Sequence, residues 1–346
     1  MKKIFIAIVA LAAATACSNS EIVSVNREAI AFDNAFINNS VRSVIDPSYK
    51  YDTKMFADFA VYGFVSADNQ APAAIFNGTQ VVGPNWTYEG TQYWIDDADY
   101  TFHAVAPLTS GNWTNAVATT EGVSLTFNNT TANGASKGEN DLLYATNDYG
   151  VYNYVEDTAV GKVGFNFRHV LSKVKFSFEN AYNASSATIK VKDIVITNPH
   201  KTANVVLTDV TVWSDNAAAN DFTLAFGMAT DDEATTATKE NAEVAYAYGA
   251  TYESQNERFL IPSNSYAYNV TFTVELLVSN TKVATYYHTV TAEFAPEAGK
   301  SYDIKAVINA ANIDPNHAQE PIEFTVNTLP GWTSGSDVNA EYPQKN

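Results

Sequence analysis

The sequence predicts an all-β protein built from two tandem β-sandwich domains. Aromatic residues make up 13% of the chain, and aromatic and β-branched residues suit a pleated, half-buried surface. Short runs of alternating apolar and polar residues recur roughly every 8–15 residues, as in sandwiches. Asn77-Gly78 and Gly83-Pro84 mark turns between such runs, and residues 111–118 are predicted to form a loop. Long helical periodicity is hard to find.

Changes in composition divide the chain into four parts. Residues 1–16 form a lipoprotein signal peptide, and residues 17–42 form a propeptide with one strand. Residues 43–160 form an N-terminal β-sandwich. Residues 161–346 form a C-terminal β-sandwich, and a polar, acidic stretch precedes this boundary.

The start of the chain is an export signal. Two lysines precede an apolar run from Ile4 to Ala16, which is typical of a secretory signal peptide. This run is too short to span a bilayer, which takes about 20 apolar residues as a helix. Ala14-Thr15-Ala16-Cys17 fits a lipobox, in which the cysteine becomes acylated. The acylated Cys17 would tether the precursor to membrane lipid without spanning the bilayer.

The charge balance excludes one class of partner. The formal net charge is −18, from 38 acidic and 20 basic residues. Nucleic-acid binding needs basic patches that displace counterions, so we expect no nucleic-acid partner. The balance is more consistent with an extracellular, solvent-exposed surface.

The segment that follows the lipobox contains a candidate strand. Its sequence EAIAFDNAFI (Glu28–Ile37) alternates, with Ile30, Phe32 and Phe36 on one predicted face. A strand so close to a lipidation point suggests a leader strand that is removed. We therefore predict a precursor whose own N-terminal strand is later exchanged for that of a neighbour.

No residue pattern indicates catalysis, a cofactor or a metal site. The five histidines are scattered singly, without the spacing of a zinc site. The acidic runs near Asp97 and Asp232 lack the glycine and distal glutamate of a calcium loop. The sequence also lacks nucleotide-binding and nucleophile-elbow motifs. We predict a protein that is not an enzyme and needs no cofactor.

An ordered set of short sequence motifs extends along nearly the whole chain. They are Trp86-x-Tyr88 with Tyr93-Trp94, YTFHAVAP (Tyr100–Pro107), Phe165–Phe176, Phe259–Pro262, Gly299–Asn309 and the final IEFTV…LPGW. Together with the lipobox, this set resembles the fimbrillin proteins of Bacteroidales, the subunits of lipoprotein-derived pili. The resemblance implies two transthyretin-like sandwiches and export to the outer membrane. It also implies trimming by an arginine-specific protease and polymerisation by donation of a C-terminal strand.

Two arginines are candidates for the processing site. A cut between Arg42 and Ser43 would remove the whole leader strand and leave the first body strand intact. A cut at Arg27 would remove only the tether. The family's processing arginine also lies shortly before the first body strand, so Arg42 is the favoured site.

The candidate donor strand lies near the C-terminus. Ile322, Phe324 and Val326 alternate with polar residues, and Pro321 and Pro330 bracket the run. Proline cannot continue a ladder from a central position, so the run is a bounded strand. The alternative is that this run is simply the last strand of the second sandwich. Both hold if the strand detaches on assembly.

The predicted function is a structural subunit of a surface fimbria, whose partners are other fimbrial subunits. One alternative is a tip adhesin of the same family. Another is a surface glycan-binding lipoprotein, which requires exposed, coplanar aromatic residues. The tryptophans invite that alternative, although packing in a core is their more usual role. They are Trp86, Trp94, Trp113 and Trp213.

Overall fold

The described residues fold mainly into β-strands, which confirms the predicted all-β class. The two helices of the described residues have four residues each. No described helix is both long and apolar enough to cross a membrane. The predicted sites Cys17, Arg27, Arg42 and Ser43 lie outside the described residues. The computed structural model describes residues 28–37, 57–67, 70–95, 97–109, 111–132, 141–147, 152–154, 161–184, 186–218, 221–227, 245–254, 257–313 and 320–329.

The strands and helices are numbered in chain order. They are β1 (Phe32–Ile37), β2 (Asp58–Ala67), β3 (Ala73–Val82), β4 (Thr87–Tyr88), β5 (Ala98–Ala106), β6 (Trp113–Thr119), β7 (Gly122–Asn128), α1 (Asn129–Ala132), β8 (Leu143–Thr146), β9 (Tyr152–Tyr154), β10 (Val163–His169), β11 (Ser172–Asn180), β12 (Ala187–Ile196), β13 (His200–Leu207), β14 (Val212–Ala218), β15 (Leu224–Phe226), β16 (Ala245–Tyr246), β17 (Thr251–Glu253), β18 (Arg258–Leu260), β19 (Tyr266–Val278), β20 (Thr281–Phe294), β21 (Ser301–Ile308), α2 (Ala310–Ile313) and β22 (Phe324–Leu329).

Two sheets form the N-terminal part of the fold. The larger has the order β1-β10-β8-β5-β2-β3-β4, with β9 paired to β5. Its one parallel pair is β1 with β10. The smaller has the order β14-β13-β7-β6. It therefore joins strands from both sides of the predicted boundary at residue 161. We call this sheet, β14-β13-β7-β6, the joint sheet. The division of the chain into two domains at residue 161 stays a prediction, and any such division has to account for the joint sheet.

Two further sheets form a sandwich from residue 172 onward. One has the order β17-β11-β21-β22, with β18 also on β11. The other has the order β15-β12-β19-β20, with β16 also on β12. The apolar face of each sheet is turned towards the other, as the alternation of buried residues along β12 and β19 indicates.

Three apolar clusters hold these sheets together. The first core lies on one face of the large sheet and includes Phe32, Phe59, Phe102 and Phe165. The middle core lies between the other face of that sheet and the joint sheet. It includes Tyr62, Tyr144, Phe127 and Val205. The second core fills the C-terminal sandwich and includes Phe176, Phe178, Phe272 and Ile322.

Two local predictions were wrong, both because a bulge breaks the alternation of residues. Asn77-Gly78 is not a turn, since β3 runs through it. Val61 pairs with Thr79 and Tyr62 with Asn77, so Gly78 is the extra residue, at φ 72°. The predicted loop at 111–118 is instead mostly strand β6, in which the register shifts between Thr114 and Val117.

The joint sheet depends on a close approach at Gly122. A Cβ at this position would lie 2.0 Å from the carbonyl oxygen of Leu207 on β13. We expect Gly122→Ala to lower the free energy of unfolding by about 2 kcal/mol or more, because β7 and β13 must separate. Urea denaturation measures this change. The control is Gly164→Ala on β10, where a Cβ meets nothing within 4 Å. Equal stability of the two variants would contradict the pairing of β7 with β13.

Candidate functional site

The leader segment, Glu28–Ile37, contacts both ends of the large sheet. At one end β1 pairs with β10, and the Val163 N–H donates to the Ala31 carbonyl at 2.8 Å. At the other end the segment pairs antiparallel with the residues after β4. There the Ile30 N–H donates to the Gln92 carbonyl at 2.8 Å, and the Trp94 N–H donates to the Glu28 carbonyl at 3.0 Å. The segment thereby closes the sheet around the first core.

The Tyr88 side chain holds the leader segment against the residues after β4 by two hydrogen bonds. Its hydroxyl donates to the Ile30 carbonyl at 2.8 Å and accepts the Gln92 N–H at 3.1 Å. Burial, the largest cause, raises the pKa of Tyr88, so the hydroxyl remains protonated and able to donate at neutral pH. The motif Trp86-x-Tyr88 was noted in the sequence, but nothing local to it indicated this contact.

Phe32 is the centre of an aromatic cluster in the first core. The residue is 2% exposed, and Ile30 beside it is 1% exposed. The Phe32 ring lies 5.4–6.3 Å, between ring centroids, from five other rings, mostly edge to face. Such arrangements add to the free energy of burial. The five rings belong to Phe59, Phe76, Tyr88, Phe102 and Phe165.

The register of β1 departs from the predicted alternation. Phe32 lies opposite Val163, a buried residue of β10, as its own burial requires. The register then shifts between Asp33 and Ala35, and Phe36 comes to lie opposite Asn166, an exposed residue. The shift interrupts the two-residue period of the strand.

The first strand of the body is anchored without the leader segment. Asp58 at the start of β2 is buried, and its Oδ1 accepts the Leu108 N–H at 3.2 Å and the Thr109 N–H at 3.3 Å. Its Oδ2 accepts a hydrogen bond from Gln80 Nε2 at 2.6 Å. Hydrogen bonds to a carboxylate are among the stronger ones. No sequence pattern near Asp58 indicated this role, since the partners are 22 to 51 residues away.

The candidate donor strand is β22, which lies antiparallel to β21 at the end of its sheet. Phe324 and Val326 are half-buried against the second core, whereas Thr325 and Asn327 are exposed. The Phe324 ring lies 5.7 Å from Phe176 and 5.9 Å from Phe272. In this conformation the strand is the last one of its own sandwich, which was the alternative that the sequence left open.

The base of β22 is held more firmly than the strand itself. The buried Asn312 donates from Nδ2 to the Glu320 carbonyl at 3.2 Å, and the Glu320 N–H donates to the Ala311 carbonyl at 2.8 Å. Ile322 is fully buried in the second core. A strand that detached would therefore pivot after Ile322, with Phe324 and Val326 on the moving part.

The buried histidines serve packing contacts. His103 Nδ1 lies 2.8 Å from the Tyr144 hydroxyl, and its Nε2 lies 3.1 Å from the Thr120 carbonyl oxygen. His169 pairs with Asp141, and both are buried. In the described ranges, no three His, Cys, Asp or Glu side chains are grouped as metal ligands.

The four tryptophans within the described residues do not form an exposed platform. Trp94 is buried in the first core, and Trp86 packs against Phe59 at 5.4 Å between ring centroids. Trp113 and Trp213 are half-buried, and their indole N–H groups donate to the Pro107 and Val170 carbonyls. These four residues therefore pack in cores and against neighbouring strands, which is the more usual role of tryptophan.

A family model described as fimbrillin-like matches residues 51–328, which is most of the chain. The chain belongs to the fimbrillin-like family. The resemblance seen in the sequence is thereby confirmed, and the matched region holds β2 to β22 apart from the final residue of β22. The leader segment lies before it. No curated protein matches the fimbrillin-like chain significantly.

Solved structures resemble this fimbrillin-like chain at low sequence identity. A crystal structure of a fimbrial protein from Bacteroides vulgatus is 15% identical, covers 88% of this chain and 99% of its own, and superposes with a TM-score of 0.58. This likeness shows a shared fold. The fimbrial anchor protein Mfa2 from Porphyromonas gingivalis is 12% identical, covers 80% of this chain and 89% of its own, and has a TM-score of 0.31.

Truncation of Phe32 tests how far the first core depends on the leader segment. We expect Phe32→Ala to lower the free energy of unfolding by about 3–5 kcal/mol, because a cavity opens among five rings. Chemical denaturation of the uncut chain measures the loss. The matched control is Tyr248→Ala, at a side chain that is 58% exposed, where we expect a change within about 0.5 kcal/mol. Similar effects at both positions would show that Phe32 does not hold the core.

Burial makes the stability depend on pH in the acid range. Burial, the largest cause, lowers the pKa of His103 from its usual 6.5. Below about pH 6.5 the unfolded chain therefore binds more protons than the folded chain, and stability falls as pH falls. We expect the free energy of unfolding to decrease between about pH 7.5 and about pH 5, and to decrease less in His103→Gln. Identical pH profiles for the two proteins would contradict this account.

Proposed function

We propose that this fimbrillin-like chain is a structural subunit of a surface fimbria that polymerises by strand exchange. In the proposal, the precursor is exported as a lipoprotein and held at the outer membrane by acylated Cys17. An arginine-specific protease cuts after Arg42, and the leader segment leaves. The C-terminal strand of another subunit then enters the vacated groove.

One observation carries the proposal: the side chain at the centre of the first core comes from a segment that a single cut can release. The leader segment joins the body through residues 38–56, which contain Arg42. Asp58 holds the start of β2 by hydrogen bonds that do not involve the leader segment. Cleavage would therefore leave the first strand of the body in place.

The groove left behind would have a strong tendency to pair with another strand. Departure of the leader segment exposes an edge of β10 and uncovers the ring cluster around the place of Phe32. It also leaves the Val163 and Trp94 N–H groups without their partners. An unpaired edge with apolar side chains readily accepts an added strand.

The C-terminal strand suits the role of donor. Phe324 and Val326 alternate with polar residues, as a strand entering a half-apolar groove requires. The strand lies at the end of its sheet, so its release breaks pairing on one side only. The half-burial of Phe324 means that a comparable or larger apolar area can be buried in the new site.

The cut site is tested with matched arginine variants. We expect an arginine-specific protease to release a new N-terminus at Ser43 from the wild type and from Arg27→Ala, followed by fibres in electron micrographs. Arg42→Ala should remain uncut and form no fibres. Fibres from Arg42→Ala, or an N-terminus other than Ser43, would refute cleavage at Arg42.

The donor is tested with a peptide. A peptide with the sequence Pro321–Leu329, added at the time of cleavage, should occupy the groove and shorten or abolish fibres. The control peptide carries aspartate in place of Phe324 and should have no effect, because a charge would enter an apolar groove. Equal fibre lengths with both peptides would exclude this strand as the donor while leaving the cut site untouched.

A further inference from the structure

The strand β20 is an unusual edge. Its sheet ends at β20, and among the described residues β19 is its one hydrogen-bonded neighbour. It has 14 residues, whereas the other strands that end a sheet order have two to seven. Long edges with free backbone groups pair with other chains, and proteins shorten or charge them to prevent this.

The middle of β20 carries none of that protection. From Val283 to Ala292 it has no charged residue, no proline and no glycine, and it is rich in threonine, tyrosine and valine. Tyr287 at its centre is 80% exposed. Two copies of a chain with a net charge of −18 repel each other electrostatically. An uncharged edge is therefore the place where two copies can approach with the smallest electrostatic repulsion.

The charges that β20 does carry stand near its two ends. Lys282 and Glu293 are both exposed. The register with β19 shifts by one residue between Leu276 and Leu277, so Val283 is the extra residue of a bulge. Lys282 thereby lies on the outer face, where its Nζ donates to Glu275 at 3.1 Å. Glu293 lies on the same outer face, because exposed and buried residues alternate along this part of the strand and the neighbouring Ala292 is buried.

We propose that β20 is a self-complementary docking edge at which a second copy of this chain adds its own β20, antiparallel, about a twofold axis at His288. A twofold axis perpendicular to the sheet keeps the outer faces of both copies on one side. Because Val283 is the extra residue of the bulge, Lys282 takes the next position of the ladder after Ala284. This register therefore places Lys282 of each copy opposite Glu293 of the other. It also places Thr285 opposite Thr291 and Tyr287 opposite Thr289.

The inner face of β20 is compatible with the same register. There Ala284 comes opposite Ala292 and Tyr286 opposite Val290, so no charge is placed next to the second core. Other twofold registers lose the two Lys282–Glu293 pairs. The proposal does not rest on strand exchange, because β20 takes part in neither the leader groove nor the donor strand.

Charge reversal tests both the edge and its register. In sedimentation velocity, the uncut full chain should show a dimer whose population rises with concentration. Glu293→Lys should raise the dimer dissociation constant at least about tenfold, because two attractive pairs become two repulsive ones. The control is Glu121→Lys in an exposed turn, which makes the same change of net charge and should leave the dimer intact.

Mixing two variants gives the decisive readout. Lys282→Glu alone should also be monomeric, but a mixture of Lys282→Glu with Glu293→Lys should form a heterodimer, since both cross-pairs are again attractive. Circular dichroism shows whether each variant remains folded, and the result for Glu293→Lys stands without its partner. A monomeric wild type, or Glu293→Lys dimerising as the wild type does, would overturn the proposal. A folded mixture that stays monomeric would exclude the register.

Discussion

The structure depends on the burial of Phe32 among five aromatic rings. These rings come from β2, β3, β4, β5 and β10, which are far apart in the sequence, and Phe32 contacts all of them. The residue that completes this core lies in a short segment at one end of the sheet. The first core is therefore complete only while that segment remains in place.

The joint sheet links the two parts of the chain without using the leader segment. Strands β6 and β7 pair with β13 and β14, so residues before and after 161 share one hydrogen-bonded layer. Arg168 adds a second link, since its guanidinium lies 5.1 Å from the centre of the Tyr144 ring and donates to the Thr208 carbonyl. The contacts that join the two halves therefore involve neither the leader segment nor β22.

Three sheet edges differ in how they are covered. The leader segment covers β10 with a buried phenylalanine, and β22 covers β21 with half-buried side chains. At β20 the described chain provides no cover. The contacts that cover each edge therefore differ: a fully buried ring at β10, half-buried side chains at β21, and no hydrogen-bonded strand among the described residues at β20.

The sequence by itself determined the all-β class, the family, and the strands that carry Phe32 and Phe324. Each follows from a two-residue period or from an ordered set of motifs along the chain. Only the tertiary structure decided the joint sheet, the bulges at Gly78 and Val283, and the anchoring of β2 by Asp58. Strand pairing and bulges depend on which distant strand lies alongside, and a local period carries no information about that neighbour.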